Sequence, residues 1–278
     1  MKKQLLFLLL GSLLSYAQGG TEVYLLSLDS NATLENISQN PGYDNQPSFW
    51  DHNQLLYTAT LDGQTDLVRY DITRRTKSWL THTRHGSEYS PLRIPKTEEI
   101  SAIRLDTTGL QRLYRYDTSG KTSLLFSPLK IGYHLWLSPT TLLCTVLVGD
   151  GMDLVLAREG ESPITLQQKV GRSLHRIPHS ALVSYMAVRD GKNWLYQYDL
   201  EKRESIPLLE LPTGVQDVCW LPTGELLYGQ GNQLFRWDPK GSKAPQAWKT
   251  LTGIHNISRL AVSPHADYLA LVGEEKDK

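Results

Sequence analysis

An all-β, six-bladed propeller of four-stranded blades is the fold class this sequence predicts, and three observations predict it. An aromatic or aliphatic residue followed by Asp recurs at Leu28-Asp29, Tyr70-Asp71, Tyr116-Asp117, Tyr198-Asp199 and Trp237-Asp238, with Ala157-Arg158 in the remaining slot. A strand ending in Pro recurs at Ile94-Pro95, Ser138-Pro139, Ile177-Pro178, Leu221-Pro222 and Ser263-Pro264, with Trp50-Asp51 in its missing slot. Successive members lie 42, 46, 41, 41 and 39 residues apart in the first series, and 44, 44, 39, 44 and 42 in the second. A period of about 40–45 residues with strand patterning is that of a propeller blade. The third observation is one of phase. The first Asp turn has no Pro strand before it and the last Pro strand has no Asp turn after it, so the two ends together supply a sixth blade.

The elements follow in chain order. Lys2 and Lys3, an apolar run over residues 5–14 and Ser15-Tyr16-Ala17 read as a secretory signal peptide over residues 1–17, cleaved near Ala17. The run is about half of the ~20 apolar residues that cross a bilayer, so no membrane span is expected after cleavage. Residues 18–278 then form a single propeller domain. In the first complete blade, strands are expected at 47–50, 54–60, 66–70 and 77–81, with a tight hairpin at Asp62-Gly63 because these residues tolerate positive φ. The pattern repeats over 84–128, over 129–169 with a hairpin at Asp150-Gly151, over 170–212 with one at Asp190-Gly191, and over 213–252. The last blade takes 257–262 and 268–272 from one end of the chain and 23–28 and 32–37 from the other, which leaves no free sheet edge. The recurring Asp ends a third strand, where its carboxylate accepts from backbone N–H groups two residues on, so it is a turn device and not a catalytic group.

Composition narrows the function. With Lys2 and Lys3 removed, 27 basic residues face 29 acidic ones. No basic stripe is visible, which argues against a nucleic-acid partner. Cys144 and Cys219 fall in different, non-adjacent blades and are expected to be buried free thiols. Asn31, Asn36 and Asn256 each begin an N-glycosylation acceptor pattern, expected to be coincidental in a chain with a bacterial-type leader. A monomer in the periplasm or outside the cell is the expected state.

Trp136-Leu137-Ser138-Pro139 and Trp220-Leu221-Pro222-Thr223-Gly224 resemble the Trp-Ser-Pro-Asp-Gly signature of TolB-type propeller repeats. The runs from Leu67 to Asp71 and from Leu195 to Asp199 resemble the strand that follows it. Arg93 and Arg176 stand where the signature Trp is expected. The resemblance spans residues 18–278, without the additional N-terminal α/β domain that TolB carries. It implies a propeller exported to the bacterial envelope, and by analogy a protein partner such as a lipoprotein.

Chemistry is sought where outer strands cross to the next inner strand, because binding residues favour loops on a rigid scaffold. Five of the eight histidines, His82, His85, His134, His175 and His255, fall in these crossings, expected at 40–46, 82–89, 129–134, 169–175, 211–217 and 252–258. Tyr43, Asp44, Glu88, Tyr89, Tyr133, Arg172, Asp217 and Asn256 share the rim. An ordinary solvated rim, a recognition site for an envelope protein, peptide or glycan, and a metal site are the three readings. His82 and His85 lack the helix and Glu of a metalloprotease motif, and no metal, cofactor or catalytic residue is assigned. Without a Gly-x-Ser-x-Gly elbow or hydrolase domain, a non-enzymatic binding or scaffolding module is expected. The alternative is a small-molecule hydrolase or lyase, metal-assisted in one version, at the same channel mouth.

Overall fold

The computed structural model describes residues 20–29 and 33–275; the leader expected at 1–17 and the acceptor Asn31 lie outside them. Among the described residues, all regular structure is β. β1 (Thr21–Ser27) and β2 (Leu34–Asn36) come first. Blade one is β3 (Asn45–Phe49), β4 (Gln54–Leu61), β5 (Gln64–Asp71) and β6 (Thr76–Trp79). Blade two is β7 (Gly86–Arg93), β8 (Ile100–Asp106), β9 (Gln111–Tyr116) and β10 (Thr122–Leu125). Blade three is β11 (Ile131–Ser138), β12 (Thr141–Val148), β13 (Gly151–Arg158) and β14 (Ile164–Gln167). Blade four is β15 (Val170–Arg176), β16 (Val183–Arg189), β17 (Lys192–Asp199) and β18 (Glu204–Leu211). Blade five is β19 (Val218–Trp220), β20 (Leu226–Gln230), β21 (Gln233–Trp237) and β22 (Gln246–Thr250).

Blade six closes the ring as its phase requires, with strand order β2-β1-β24-β23 from β23 (Ile254–Val262) and β24 (Tyr268–Glu275). β1 pairs with β24 antiparallel from Thr21↔Glu274 to Ser27↔Tyr268. Its alternate side chains face opposite sides of the sheet, as strand geometry requires. Leu26 joins an apolar cluster with Leu221, Leu227 and Leu271, while Val23 joins another with Tyr57, Ala59 and Ala270. One strand thereby fastens blade six to both neighbours.

Turn chemistry collects on one face. Asp117 Oδ1 accepts from the N–H of Ser119 at 2.9 Å, Asp199 from Glu201 at 3.0 Å, and Asp238 from Lys240 at 2.9 Å. The recurring Asp is thus the Asx-turn device expected. On the same face the Pro turns close through Thr97 N–H to Ile94 O and Gly224 N–H to Leu221 O. The opposite face carries the tight hairpins and the crossings between blades. Asp62-Gly63 has φ of 50° and 83°, and Asp190-Gly191 of 53° and 74°. Positive φ at both central residues matches the right-handed twist of the strands. The third hairpin is displaced by one residue from expectation. Its turn is Gly149-Asp150, with Gly149 at φ 58°, and Gly151 already belongs to β13.

The signature Trp joins blades. Trp136 Nε1 donates to Ser101 Oγ of the preceding blade at 2.8 Å, and Trp220 Nε1 to Ser184 Oγ at 2.9 Å. Arg93 and Arg176 occupy the equivalent register, paired with Ile100 and Val183 as the two Trp residues pair with Leu142 and Leu226. They reach backward in the same way. The Arg93 guanidinium lies over Trp50, 4.4 Å from the ring centroid, and Arg176 donates to the carbonyls of Trp136 and Leu137. The departure from the repeat signature keeps the job and changes the chemistry. Cys144 and Cys219 are buried and unpaired.

Candidate functional site

Six inner strands surround the central channel, and five of them bulge where they approach the crossing face. Pairing slips between Asn45 and Ser48, Tyr89 and Leu92, Ile131 and Tyr133, Val170 and Leu174, and His255 and Arg259. A bulge leaves a residue unpaired and re-aims its neighbours, which is why bulges recur beside sites. Gln46 and Ser90 sit in the left-handed region at φ 56° and 52°. They hold each other, with Ser90 N–H donating to Gln46 Oε1 at 2.8 Å. Backbone held this way persists only where the surroundings over-determine it.

The bulges frame a channel cavity of about 110 Å³, to which all six blades contribute, among them Gln46, Ser90, Tyr133, Arg172, Asp217 and Arg259. Arg172 Nη2 donates to Ser258 O at 2.7 Å, but its buried Nε has no partner. Burial, and then the charge of Arg259, lower its proton affinity, with Asp217 opposing. Arg259 is 9% exposed, yet among the described residues its guanidinium donates no hydrogen bond and closes no ion pair. Its Cζ lies 5.0 Å from the centroid of the Tyr133 ring, a cation–π contact.

One carboxylate answers these two cations. Asp217 Oδ2 accepts from Leu260 N–H at 3.2 Å, and Oδ1 lies 3.9 Å from His175 Nε2. Burial pushes this carboxyl up, but His175, Arg259 and Arg172 outweigh it and hold it below the ordinary carboxylate value. His175 Nε2 is also 3.1 Å from Ser173 Oγ. At the outer lip Tyr43 and Tyr89 meet edge to face, with ring centroids 6.2 Å apart. Burial raises the Tyr43 phenol, against the pull of Arg259 and Arg172. The arrangement sets two guanidiniums against one carboxylate, with the Arg172 Nε unpartnered, a net positive charge whose donors suit an anion.

Of the rim residues expected from sequence, Tyr43, Tyr89, Tyr133, Arg172, His175 and Asp217 come together here. Of the others only His134 touches the cavity, from the core side. Asp44 is fully buried at the seam with β1, where Oδ1 accepts from Asn40 Nδ2 at 3.0 Å and Thr60 N–H at 3.2 Å. Glu88 is fully buried and accepts from Tyr116 at 2.6 Å and Thr83 at 2.5 Å. His134 reaches the cavity wall from the core, with Nε2 2.8 Å from Ser101 Oγ, and burial lowers its pKa to about 3, so it is neutral. His255 and Asn256 both attach to Glu274, at 3.2 and 3.0 Å. His85 is exposed on the crossing loop. Arg259 was not among the residues read from sequence, because it lies inside an inner strand; the signal for it is a lone Arg in the apolar run of residues 257–262. Among the described residues no group of three or more His, Cys, Asp or Glu side chains is placed to hold a metal ion. No helix among them is long and apolar enough to cross a membrane.

No family model matches the sequence, and no curated protein matches it. Solved structures do match. A putative TolB from Agrobacterium tumefaciens superposes with a TM-score of 0.72 at 12% identity, over 92% of this chain and 99% of that one. TolB from Acinetobacter baumannii gives 0.60 at 13% identity, over 93% of this chain, which spans 65% of the length of that protein. An oligogalacturonate lyase from Vibrio parahaemolyticus gives 0.59 at 13% identity, over 92% and 84%. At these identities the likeness is one of fold, shared by proteins of different activity. The resemblance to TolB-type propellers therefore holds as a shared six-bladed architecture.

Proposed function

We propose that this chain is an exported, non-enzymatic binding propeller whose channel mouth takes an acidic segment of a protein or peptide in the bacterial envelope. The observation that carries this reading is the pair Arg172 and Arg259, two largely buried guanidiniums that share the single carboxylate of Asp217, with the Nε of Arg172 unpartnered. Two cations drawn from water against one carboxylate leave an excess positive charge that is costly to bury and that an anionic ligand neutralises. Tyr43, Tyr89 and Tyr133 add flat faces and hydroxyls that contact a segment at low entropic cost. The basic leader supports export, and the TolB-type fold is compatible with a protein partner.

The test is fluorescence anisotropy of the purified chain against a labelled Asp/Glu-rich peptide with a free C-terminus and an Asn/Gln counterpart amidated at its C-terminus as well, so that it carries no carboxylate. Binding of the acidic peptide alone is expected, weakened at least about tenfold in Arg259→Gln, since hydrogen bonds to charged groups are worth about 1.5–3 kcal/mol. Equal affinity for both peptides, or no loss in Arg259→Gln, refutes the reading. Retention or turnover of a uronic acid oligosaccharide in place of the peptide would move the site to a glycan ligand or to the lyase class.

A further inference from the structure

The channel cavity does not end at its rim. Tyr133 and Arg172 line both it and a second concavity of about 700 Å³ on the same face, between blades three and four. The floor of this groove is apolar, built from Met152, Val170, Met186, Ala187 and Val188. Val188 stands 62% exposed, and Leu147 and Val148 on the adjoining hairpin strand are 37% and 54% exposed. Gly171 packs closely on Met186, where a Cβ would meet the carbonyl O at 3.3 Å. Lys169, Asn193 and Gln216 form a polar edge. Two methionines in a floor give a surface that adapts to the side chain laid on it.

We infer that the groove and the channel cavity form one site for the C-terminal residue of a partner polypeptide, with its carboxylate on Arg172 and Arg259 and its apolar side chain on the methionine floor. This rests on the binding function proposed above and names the anion. Two facts on either side of Arg172 select this ligand. The inner cavity, at about 110 Å³, is small and lined by Arg172, Arg259 and Asp217, whereas the outer groove is several times larger and has an apolar floor. The ligand must therefore carry its charge and its apolar group on adjacent atoms. A C-terminal residue does so, because carboxylate and side chain branch from one Cα. An internal Asp or Glu places its charge at the end of a side chain and leaves polar backbone over the apolar floor. Charge complementarity agrees, since Lys169, Arg172 and Arg259 outnumber Asp150 and Asp217 around the joined concavities. Capture of a terminal carboxylate by fixed donors is a recurrent mode of peptide recognition.

The experiment uses an N-acetylated hexapeptide of small polar residues ending in leucine, as free acid and as amide, titrated calorimetrically into the purified chain. The acid is expected to bind at least about tenfold tighter than the amide, and Arg259→Gln should remove that difference. Val188→Asp, at an exposed position, should weaken the leucine-ended acid several-fold more than a glycine-ended one. Equal binding of acid and amide, with Arg259→Gln still weakening the Asp/Glu-rich peptide, overturns this inference and leaves the binding function standing. Loss of all peptide binding overturns both. Octanoate competing as well as the peptide acid also overturns it, because the occupant would then be a free apolar acid.

Discussion

Replacing Leu26 by Ala tests ring closure through a single side chain. Leu26 lies in β1, opposite Leu269 in β24, and is fully buried. It shares a cluster with Leu221 and Leu227 of the preceding blade, so the truncation empties a junction as well as a sheet. Leu-to-Ala changes at such sites cost about 2.7–5 kcal/mol, the transfer of the lost carbons plus the cavity left behind. For a domain of this size each kcal/mol moves Tm by about 2–4 °C, which predicts a fall of roughly 5–20 °C. Calorimetry with a urea titration measures it, with Ile206→Ala as reference, since Ile206 is 49% exposed on an outer strand. The reference should stay within about 0.5 kcal/mol of the parent. A Leu26→Ala protein that melts within about 2 °C of the parent would refute the reasoning. So would one that loses β1 in a separate small transition while the remaining blades melt unchanged.

Three further outcomes follow from local chemistry. Burial, reinforced by Glu22 and opposed by Asn40 and Thr60, pushes the Asp44 carboxyl up from 3.8 to about 6. Its folded-state pKa exceeds the unfolded one, so its contribution is fully present below pH 3.8 and lost as pH rises through 6; Asp44→Asn should stabilise the chain by about 3 kcal/mol at pH 7.5 and by nothing at pH 3.5, read from urea midpoints across that range. Gly229→Ala would set a Cβ 2.3 Å from Ile257 Cγ2 and 2.7 Å from its Cβ, at the junction of blades five and six. Thermal melts should show a loss of about 1–3 kcal/mol, well beyond that of an exposed control. Cys144, pushed up to about 12 by burial, and Cys219, raised by burial and then by Asp217, should resist thiol reagents until denaturant is added; labelling of the native chain at a model-thiol rate would contradict their burial.

Blade number and closure were legible in the sequence because the determinants are local. A carboxylate that caps the turn after Tyr70 or Tyr198 acts within a few residues, and so does a proline that ends an inner strand. The site was legible only in part, because its residues are assembled by bulges. Arg259 reads as one more strand residue until the slip between His255 and Arg259 turns it toward the channel. Asp44 and Glu88 fall in or beside crossings as expected, but there the chain dips between blades and buries both carboxylates. Arg93 and Arg176 read as erosion of a repeat signature. Stacking on Trp50 and donation to the carbonyl of Trp136 show that a guanidinium can fasten blades where an indole does so elsewhere.

The pairing of Thr21 with Glu274 has a topological consequence. In blades one, three, four and five, the corresponding strands are joined at that height by two residues. Blade six makes the same pairing without the covalent link, so its strands meet as a hairpin with the turn cut out. The position of that cut is a matter of connectivity and not of packing. A permuted chain that links 275 to 20 through Asn-Gly and opens between Asp62 and Gly63 would keep every strand, every junction and the channel residues where they are. The closure strand would then be continuous with blade six, and blade one would hold both ends.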